Sequence, residues 1–279
     1  MKKKWLAPFF PLAALTLIAC QPIESKELSD STSEAATINS EESSTAEVET
    51  VEAENEQEEI DEVTFNYVIN PDTYSVHPIE SGTNEKVVLL TFDDAPDGNA
   101  VEIATTLKEK DASAIFFVNS MFLESEQGKK DLVAIHEMGF EIGNHTHTHQ
   151  SLPDLSETEQ YDEIVKTNDI VEDIIGIRPR FFRAPFGMST EYSKEIVKEE
   201  QMTLMKWSFG YDWEKEYQES AALTDITLNT PLLGNGANIL MHDRTWTKEA
   251  IASIIDGLRE AEFEIVNTKE IMSVKEGAE

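Results

Sequence analysis

The stretch KVVLLTFDDAPDGNAVEIATTLKEKDASAIFFVN, residues 86–119, decides the fold class of this chain. Two apolar runs, KVVLLTF (86–92) and SAIFFVN (113–119), have the length and the β-branched and aromatic content of buried strands. The segment VEIATTLKEK (101–110) between them has the pattern of an amphipathic helix. A strand, a helix and a second strand in this order predict a βαβ unit, whose two strands lie parallel in one sheet.

The same alternation continues along the chain. Further predicted strands are FEIGN (140–144), RFF (180–182), TLMKWSF (203–209), NILM (238–241) and EIV (264–266). Helical patterns cover DLVAIHEMG (131–139), residues 155–176 with a capping box from Ser156 to Glu159, residues 190–200, residues 220–228 and a helix capped by Thr247. About seven strands that alternate with helices predict an α/β fold with a parallel sheet, either closed as a barrel or open and doubly wound.

The beginning of the chain is typical of an export signal. MKKKWLAPFFPLAALTLIAC, residues 1–20, has a basic start and an apolar run that two prolines make too short and too broken to span a membrane. LIAC (17–20) resembles the lipobox of bacterial lipoproteins, which implies a signal peptide over residues 1–19 and lipidation of Cys20. An ordinary signal peptide with a chance cysteine is the alternative. Lipidation would place the protein outside the cytoplasm, anchored to the bacterial cell membrane and facing the cell wall.

The segment that follows is strongly acidic. Residues 21–62 hold 15 Asp and Glu, one Lys and no aromatic residue, so they cannot bury enough apolar surface to fold. We expect residues 20–62 to form a lipidated, disordered tether, with an acidic interaction tail as the alternative. The whole chain carries 55 Asp and Glu against 22 Lys and Arg, a net charge of −33, which argues against nucleic acid and anionic lipid as electrostatic partners. Residues 63–84 are expected to be an extension of a main domain over residues 85–279.

Polar side chains follow five predicted strands at the point where each strand ends. They are Asp93 and Asp94, then His145, His147 and His149, then Arg183, then Asp212 and Trp213, and finally His242 and Asp243. Any one of them could be a helix cap or a surface ion pair. Because functional groups of parallel α/β proteins gather at the carboxyl ends of the strands, five such groups together predict a site.

The histidines indicate metal-assisted hydrolysis at that site. His145 and His149 are spaced i, i+4, which would bring both imidazoles to one side of a helical turn, whereas His147 has the i, i+2 spacing that suits an extended strand. The spacing favours the first pair and leaves His147 open. A carboxylate from another strand would complete three protein ligands and leave a position open for water.

Together these segments resemble the polysaccharide deacetylases, carbohydrate esterase family 4, also called the NodB-homology domain. The matching segments are TFDDAP (91–96) to TFDDGP, HTHTH (145–149) to H[ST]xxH, FRAPFG (182–187) to R-x-P-[FY], YDW (211–213) to DW, and LMH (240–242) to LxH. They cover roughly residues 85–270 in the family's order. The resemblance implies a distorted, TIM-like (β/α)7–8 barrel.

The resemblance also implies roles for individual residues. Asp94, His145 and His149 would bind Zn²⁺, or another divalent ion such as Co²⁺ or Ni²⁺, and His147 would occupy a variable position. Asp93 would be the base for the metal-bound water that attacks the acetyl carbonyl, and His242 the acid that protonates the leaving amine. The implied supporting residues are Arg183 to orient Asp93, Asp212 to support His242 or Arg183, Pro185 and Phe186 at the oxyanion, and Trp213 and Leu240 around the acetyl methyl.

On this interpretation the protein is a monomer that removes N-acetyl groups from N-acetylglucosamine-type residues of peptidoglycan or of chitin-like oligomers. An O-acetyl esterase for xylan-type polymers and a catalytically idle, glycan-binding envelope lipoprotein are the alternatives. A metalloprotease is less favoured, because HTHTH lacks the Glu of HExxH. Two departures from the family pattern are Ala95, in place of a Gly that could adopt a positive φ, and Phe186, in place of a common Tyr.

Overall fold

The structure, a computed structural model, describes residues 64–277, and the predicted signal peptide, Cys20 and the tether lie outside these residues. The strands are β1 Tyr67–Ile69, β2 Val76–Pro78, β3 Val87–Ala95, β4 Ile115–Val118, β5 Glu141–Asn144, β6 Phe181–Phe182, β7 Thr203–Leu204, β8 Phe209–Gly210, β9 Ala237–His242, β10 Glu264–Ile265 and β11 Ile271–Met272. The α-helices are α1 Ala100–Glu109, α2 Glu126–Glu137, α3 Glu157–Ile175, α4 Glu191–Glu199, α5 Ser220–Asn229 and α6 Thr245–Glu260. Among residues 64–277, no helix has both the length and the apolar character that a membrane span requires.

The main sheet is parallel and has the strand order β7-β6-β5-β4-β3-β9-β8, with β10 paired to the start of β3. The predicted α/β class and barrel-type sheet are therefore confirmed. Within the described part of the chain no ladder joins β7 to β8, so the sheet is a curled, open barrel.

The alternation of side chains along β3 and β4 divides the core in two. Leu90 and Phe92 point to the outer side of the sheet, where they join the cluster that packs against α1, α2 and α6. Leu89 and Phe117 point to the concave side, where they meet inward-facing residues from β6 and the β7–β8 connection. All four of these side chains are fully buried, as expected for a parallel sheet that is covered on both faces.

A small three-stranded sheet covers the concave side at the amino ends of β3 and β9. Its order is β11-β1-β2, with β1 antiparallel to β2 and parallel to β11. Tyr67, Ile69 and Val76 pack into the inner cluster, and the Val76 N–H donates to the Gly236 carbonyl just before β9 (2.8 Å). Residues 67–78 thus complete the core of the domain.

The predicted capping box of α3 is confirmed. The Ser156 hydroxyl accepts from the Glu159 N–H, and the Glu159 carboxylate accepts from the Ser156 N–H (2.8 Å). The helix ends at Gly176, which has φ 72° in the left-handed region that glycine adopts without strain. This long helix contributes several of the side chains that bind residues 144–148, at the end of β5 and in the loop after it.

Two local predictions are wrong. TLMKWSF was expected to form one strand, but β7 pairs with β6 and β8 pairs with β9, at opposite ends of the sheet. Between them the Lys206 carbonyl leaves the ladder and accepts from Arg183 and Asn238 instead. Thr247 was expected to cap a helix, but α6 begins at Thr245, and the Thr247 hydroxyl donates to the Asp212 carboxylate (2.9 Å).

Candidate metal and catalytic site

A cleft of about 440 Å³ opens at the carboxyl ends of the strands of the main sheet. It is lined by Asp93, Asp94, His145, His149, Phe186, Trp207, Asp212, Trp213, Leu240, His242 and Arg244. The topology explains this gathering, because β3 lies at the centre of the sheet with β4 and β9 beside it, and β5 and β8 beyond them. Polar groups from the ends of β3, β5, β8 and β9 therefore meet in one place.

Asp94, His145 and His149 form a cluster whose ligand atoms all lie within 4.8 Å of one another. Asp94 Oδ1 is 3.4 Å from His149 Nε2 and 3.8 Å from His145 Nε2. Ligands about 2.0–2.1 Å from a tetrahedral ion are roughly 3.3 Å apart, so these separations fit a transition metal such as zinc. The donor set of one carboxylate and two imidazoles fits such an ion as well.

The ring of His145 is fixed in the form that a metal requires. Its Nδ1–H donates to the Arg183 carbonyl (2.7 Å), which leaves the Nε2 lone pair facing Asp94 and His149. Burial lowers the pKa of His145 below its ordinary value, although Asp93 beside it acts in the opposite direction. The imidazole is therefore held neutral, with Nε2 ready to bind a cation.

The two ligand histidines converge without a helical turn. Residues 145–149 are irregular, so the predicted pair is brought together by a different geometry from the one its spacing suggested. Thr146 at φ 70° and His149 at φ 59° are left-handed and turn the chain back, which leaves the two rings 5.0 Å apart. Asp94 is also left-handed, at φ 60°. Non-glycine residues rarely adopt this conformation, and such strain tends to concentrate at functional sites.

Left-handed Asp94 also explains why Ala95 is tolerated. Ala95 is absent from the positive-φ residues of the described chain and lies buried at the end of β3. The position where the family pattern has Gly therefore makes no demand for a left-handed conformation here.

His147 lies outside the ligand cluster and is bound to α3. The Lys166 ammonium donates to His147 Nε2 (2.7 Å), and His147 Nδ1 lies 2.8 Å from the Ser120 hydroxyl. Because an ammonium can only donate, Nε2 is the acceptor, so Nδ1 carries the proton and donates to Ser120. Both ring nitrogens are thus occupied, Nε2 by Lys166 of α3 and Nδ1 by Ser120 in the 3₁₀ turn that follows β4, and His147 anchors the loop after β5 to both.

Further anchors on α3 were missed by the sequence interpretation. The Glu163 carboxylate accepts from the Thr148 N–H (2.7 Å) and from its hydroxyl (2.5 Å). Asn144 donates to the Asn168 side chain (2.7 Å) on the same helix. These partners lie 15 to 24 residues away in the chain, and only the packing of α3 against β5 brings them together.

Asp93 is held by a fully buried arginine. Arg183 Nη1 donates to Asp93 Oδ1 (2.7 Å) and to the Thr91 hydroxyl (2.9 Å), and Nη2 donates to the Lys206 carbonyl (2.8 Å). The guanidinium also lies 4.3 Å from the centre of the Phe117 ring. The second oxygen of Asp93 is 3.5 Å from His145 Nε2 and faces the metal cluster. One carboxylate oxygen is therefore occupied by Arg183, and the other is directed to the place where a metal and its water would lie.

His242 and Asp212 form the second pair of the cleft. His242 Nδ1 lies 2.7 Å from Asp212 Oδ1, while Asp212 Oδ2 accepts from the His242 N–H (2.5 Å) and the Thr247 hydroxyl (2.9 Å). Burial disfavours the imidazolium, but the hydrogen bond and charge of Asp212 outweigh it, so the pKa of His242 is raised above its ordinary value. Of the two residues that Asp212 could support, the structure pairs it with His242.

The remaining predicted residues form the apolar part of the cleft. Leu240 lies in β9, and the Trp213 ring packs edge-on against His242, with the ring centres 5.5 Å apart. Pro185 begins a short 3₁₀ turn that brings Phe186 into the cleft at φ 58°, with its ring 4.9 Å from that of His149. Phe186 is 62% exposed and lies at the rim.

Arg244 and Trp207 line the cleft but were not among the predicted site residues, and Arg244 contacts a predicted metal ligand. Its Nη2 donates to Asp94 Oδ2 (2.6 Å), and its Nη1 lies 3.4 Å from Asp97. The signal for it in the sequence was its place just after His242 and Asp243, at the end of a predicted strand.

Known proteins resemble this chain in both sequence and structure. The polysaccharide deacetylase family model matches residues 80–205. The peptidoglycan N-acetylmuramic acid deacetylase PdaC of Bacillus subtilis is 31% identical over 199 residues, which are 70% of this chain and 41% of PdaC. A peptidoglycan N-acetylglucosamine deacetylase of Bacillus cereus is 31% identical over 57% of this chain and 56% of its own length. The chain thus spans about half the length of these curated relatives, or less.

Solved structures resemble the chain over the same region. The structure of B. subtilis PdaC superposes with a TM-score of 0.60 at 30% identity, over 67% of this chain and 90% of that one. A CE4 family pseudoenzyme from Bacillus anthracis superposes with a TM-score of 0.62 at 28% identity, over 69% of this chain and 66% of that one. The fold is therefore shared by active and inactive proteins, and the side chains of the cleft must decide between them.

Proposed function

Since this chain belongs to the polysaccharide deacetylase family, we propose that it is a metal-dependent deacetylase of N-acetylated amino sugars in peptidoglycan. The observation that carries the proposal is one cleft that holds a three-ligand cluster beside both proton carriers. Asp93 is oriented by Arg183 on one side, and His242 is oriented by Asp212 on the other. One relative is a peptidoglycan N-acetylmuramic acid deacetylase and another a peptidoglycan N-acetylglucosamine deacetylase, which supports peptidoglycan as the substrate class. We propose that N-acetylglucosamine-type residues are the sugars deacetylated.

Asp94, His145 and His149 would hold the metal, which we propose to be Zn²⁺. A divalent ion in this position supplies Lewis acidity, which polarises the acetyl carbonyl and lowers the pKa of water. Three protein ligands suit such an ion because they leave a position open. The neutral tautomer of His145 is secured by the Arg183 carbonyl, so the same residue that orients the base also shapes the metal site.

Asp93 is the proposed general base. Its Oδ2 faces the ligand cluster and takes a proton from the water whose oxygen bonds to the acetyl carbon. Arg183 holds Oδ1 in place, so the carboxylate cannot rotate away from that position. We propose that the Phe186 N–H stabilises the developing oxyanion, which is the kind of interaction that contributes most in acyl transfer.

His242 is the proposed general acid. When the bond between the acetyl carbon and the nitrogen breaks, the imidazolium gives its Nε2 proton to the leaving amine, and the products are acetate and a free amino sugar. The Asp212 carboxylate stabilises the imidazolium through Nδ1 and keeps Nε2 toward the cleft. Trp213 and Leu240 line the apolar wall that would take the acetyl methyl.

Acetate release from peptidoglycan and from chitooligosaccharides by the zinc-loaded protein tests this function. Wild type should release acetate, and Asp93→Asn should lose most of that activity, because an amide cannot act as the base. Asp97→Asn is the matched control, since Asp97 lies beyond the cleft lining and should behave as wild type. Absence of acetate from every glycan, or equal rates for wild type and Asp93→Asn, would refute the proposal. Acetylxylan as a third substrate separates an O-acetyl esterase from an N-deacetylase.

A second candidate function is an idle, glycan-binding envelope protein, which the likeness to the B. anthracis pseudoenzyme favours. The intact pairs Asp93–Arg183 and His242–Asp212 support the active enzyme instead. Metal analysis separates the two, because an idle protein has no requirement for an ion. A chain that retains no metal after dialysis, with a His145→Ala phenotype equal to wild type, would indicate the idle protein.

We also propose that Cys20 is lipidated and tethers the domain to the outer face of the cell membrane. The support is the LIAC sequence at residues 17–20 and the unfoldable composition of the 42 residues that follow, 21–62. A tether of this kind would let one anchored domain reach glycan strands at several distances from the membrane.

A further inference from the structure

Arg244 engages one oxygen of the metal-site carboxylate and leaves the other free. Its Nη2 donates to Asp94 Oδ2 at 2.6 Å, while Asp94 Oδ1 faces His149 Nε2 at 3.4 Å and His145 Nε2 at 3.8 Å. A guanidinium stays protonated and offers donors only, so Oδ2 is committed to this ion pair. The carboxylate is thereby oriented with a single oxygen toward the imidazoles.

Arg244 is itself fixed by its surroundings. Its Nη1 donates to the carbonyl of Asp243 (2.9 Å), and the Asp243 carboxylate accepts from the N–H groups of Asp97 (2.5 Å) and Asn99 (2.6 Å). The Asp243 N–H donates to the Asp93 carbonyl (3.0 Å), which ties the end of β9 to the end of β3. The side chain of Arg244 is 33% exposed, so it lies at the edge of the cleft and not in the core.

We propose that Arg244 is a positioning residue that restricts Asp94 to one metal-binding oxygen and so keeps a coordination position open. Carboxylates bind metals through one oxygen or through two, and two oxygens with two imidazoles would fill all four positions of a tetrahedral ion. By occupying Oδ2, Arg244 reserves the fourth position for water or for the acetyl oxygen. The inference rests on the proposed metal site, and it assigns Arg244 a task that neither the ligands nor the proton carriers perform.

Visible absorption of the Co²⁺-loaded full chain tests this assignment, because the positions of the Co²⁺ bands change when one ligand of the ion is replaced by another. Arg244→Met removes the donor and the charge but keeps the apolar stem, and Arg244→Gln removes the charge and keeps a polar end. Both variants should have Co²⁺ bands at positions different from those of wild type, as the second oxygen of Asp94 replaces the water ligand. Titration with acetate, the expected product, provides a second readout. Its affinity should fall by about tenfold, because the open position is filled.

Asp97→Asn is the control, since it removes the longer ion pair of Arg244 (3.4 Å) and leaves the ion pair between Arg244 and Asp94 in place. This variant should have the spectrum and the acetate affinity of wild type. If either folded Arg244 variant also retains both, Arg244 is only structural and the inference fails. If wild type binds no Co²⁺ at all, the proposed metal site fails first, and the two failures are thereby distinguished.

Discussion

Replacing Asp212 by Asn should shift the pH range of the proposed deacetylation. The Asp212 carboxylate accepts three hydrogen bonds: from His242 Nδ1 (2.7 Å), from the His242 N–H (2.5 Å) and from the Thr247 hydroxyl (2.9 Å). An Asn side chain has one acceptor oxygen and a donor amide. If the Asn oxygen still accepts from the His242 N–H and the Thr247 hydroxyl, the Asn amide group faces His242 Nδ1. Both groups are then donors, so the imidazolium is disfavoured.

The size of the effect follows from the lost hydrogen bond. A hydrogen bond to a charged partner contributes about 1.5–3 kcal/mol, and roughly 1.4 kcal/mol corresponds to a factor of ten. On the alkaline side of the profile, kcat/KM should therefore fall by about 10- to 100-fold. On the acid side the fall should be smaller, because His242 is protonated there in both proteins. Asp212 raises the pKa of His242, so its removal must move the alkaline limb to lower pH.

The assay is acetate release from an N-acetylated glycan, with kcat/KM measured across the pH range in which wild type stays folded. Thr247→Val is the matched control, because it removes one hydrogen bond from Asp212 Oδ2 and leaves the carboxylate facing His242. Thermal unfolding of both variants establishes that each is folded at the assay temperature. An Asp212→Asn profile with the wild-type alkaline limb would refute the role of Asp212, whatever the absolute rate.

Three further predictions concern other parts of the chain. His149→Ala should abolish metal binding, whereas His147→Ala should retain the metal. His147→Ala should lower the free energy of unfolding by about 1–3 kcal/mol, since the hydrogen bonds of its ring are lost. Metal analysis and denaturant unfolding check both variants, and equal metal loss in the two would contradict the assignment of His149, and not His147, as a ligand. Gly210→Ala should lower kcat/KM and cost about 1–3 kcal/mol of stability, because the added Cβ would lie 2.7 Å from the Trp213 ring and 2.5 Å from a backbone oxygen; a variant with unchanged kinetics would show that the apolar wall is not needed. Cys20→Ala should move the protein from the membrane fraction to the medium and abolish labelling with radioactive palmitate, and a variant that stays on membranes would argue against lipidation.

Prediction from sequence succeeded where local pattern decides the outcome. The apolar runs at β3 and β4 are buried on both faces, so their composition alone identified them. It failed at residues 203–209, because the pattern shows that a segment is extended but not which strand it will pair with. The chain there leaves β6 and joins β9, at opposite ends of the sheet.

The candidate site was likewise predicted in part from the sequence. Asp94, His145 and His149 were assigned as ligands by motif, and the structure brings them together, although through left-handed backbone and not through a helical turn. Arg244 and the contacts of His147 escaped prediction, because an arginine after a strand and a histidine in a loop have many ordinary uses. Only the folded arrangement shows that one holds a ligand carboxylate and the other binds α3.

The pairing of β1 with β11 has a consequence for how the domain folds. Tyr67 pairs with Ile271, and Asn66 donates to the Glu270 carboxylate across 204 residues of chain, so this contact closes the largest loop of the domain. Closing a loop of this length costs conformational entropy before its contacts form, and it cannot begin until Ile271 and Met272 have been synthesised. The small sheet is thus the natural last step of folding, and a chain cut just before Ile271 should stay incomplete, with the inner cluster open to water and to proteases.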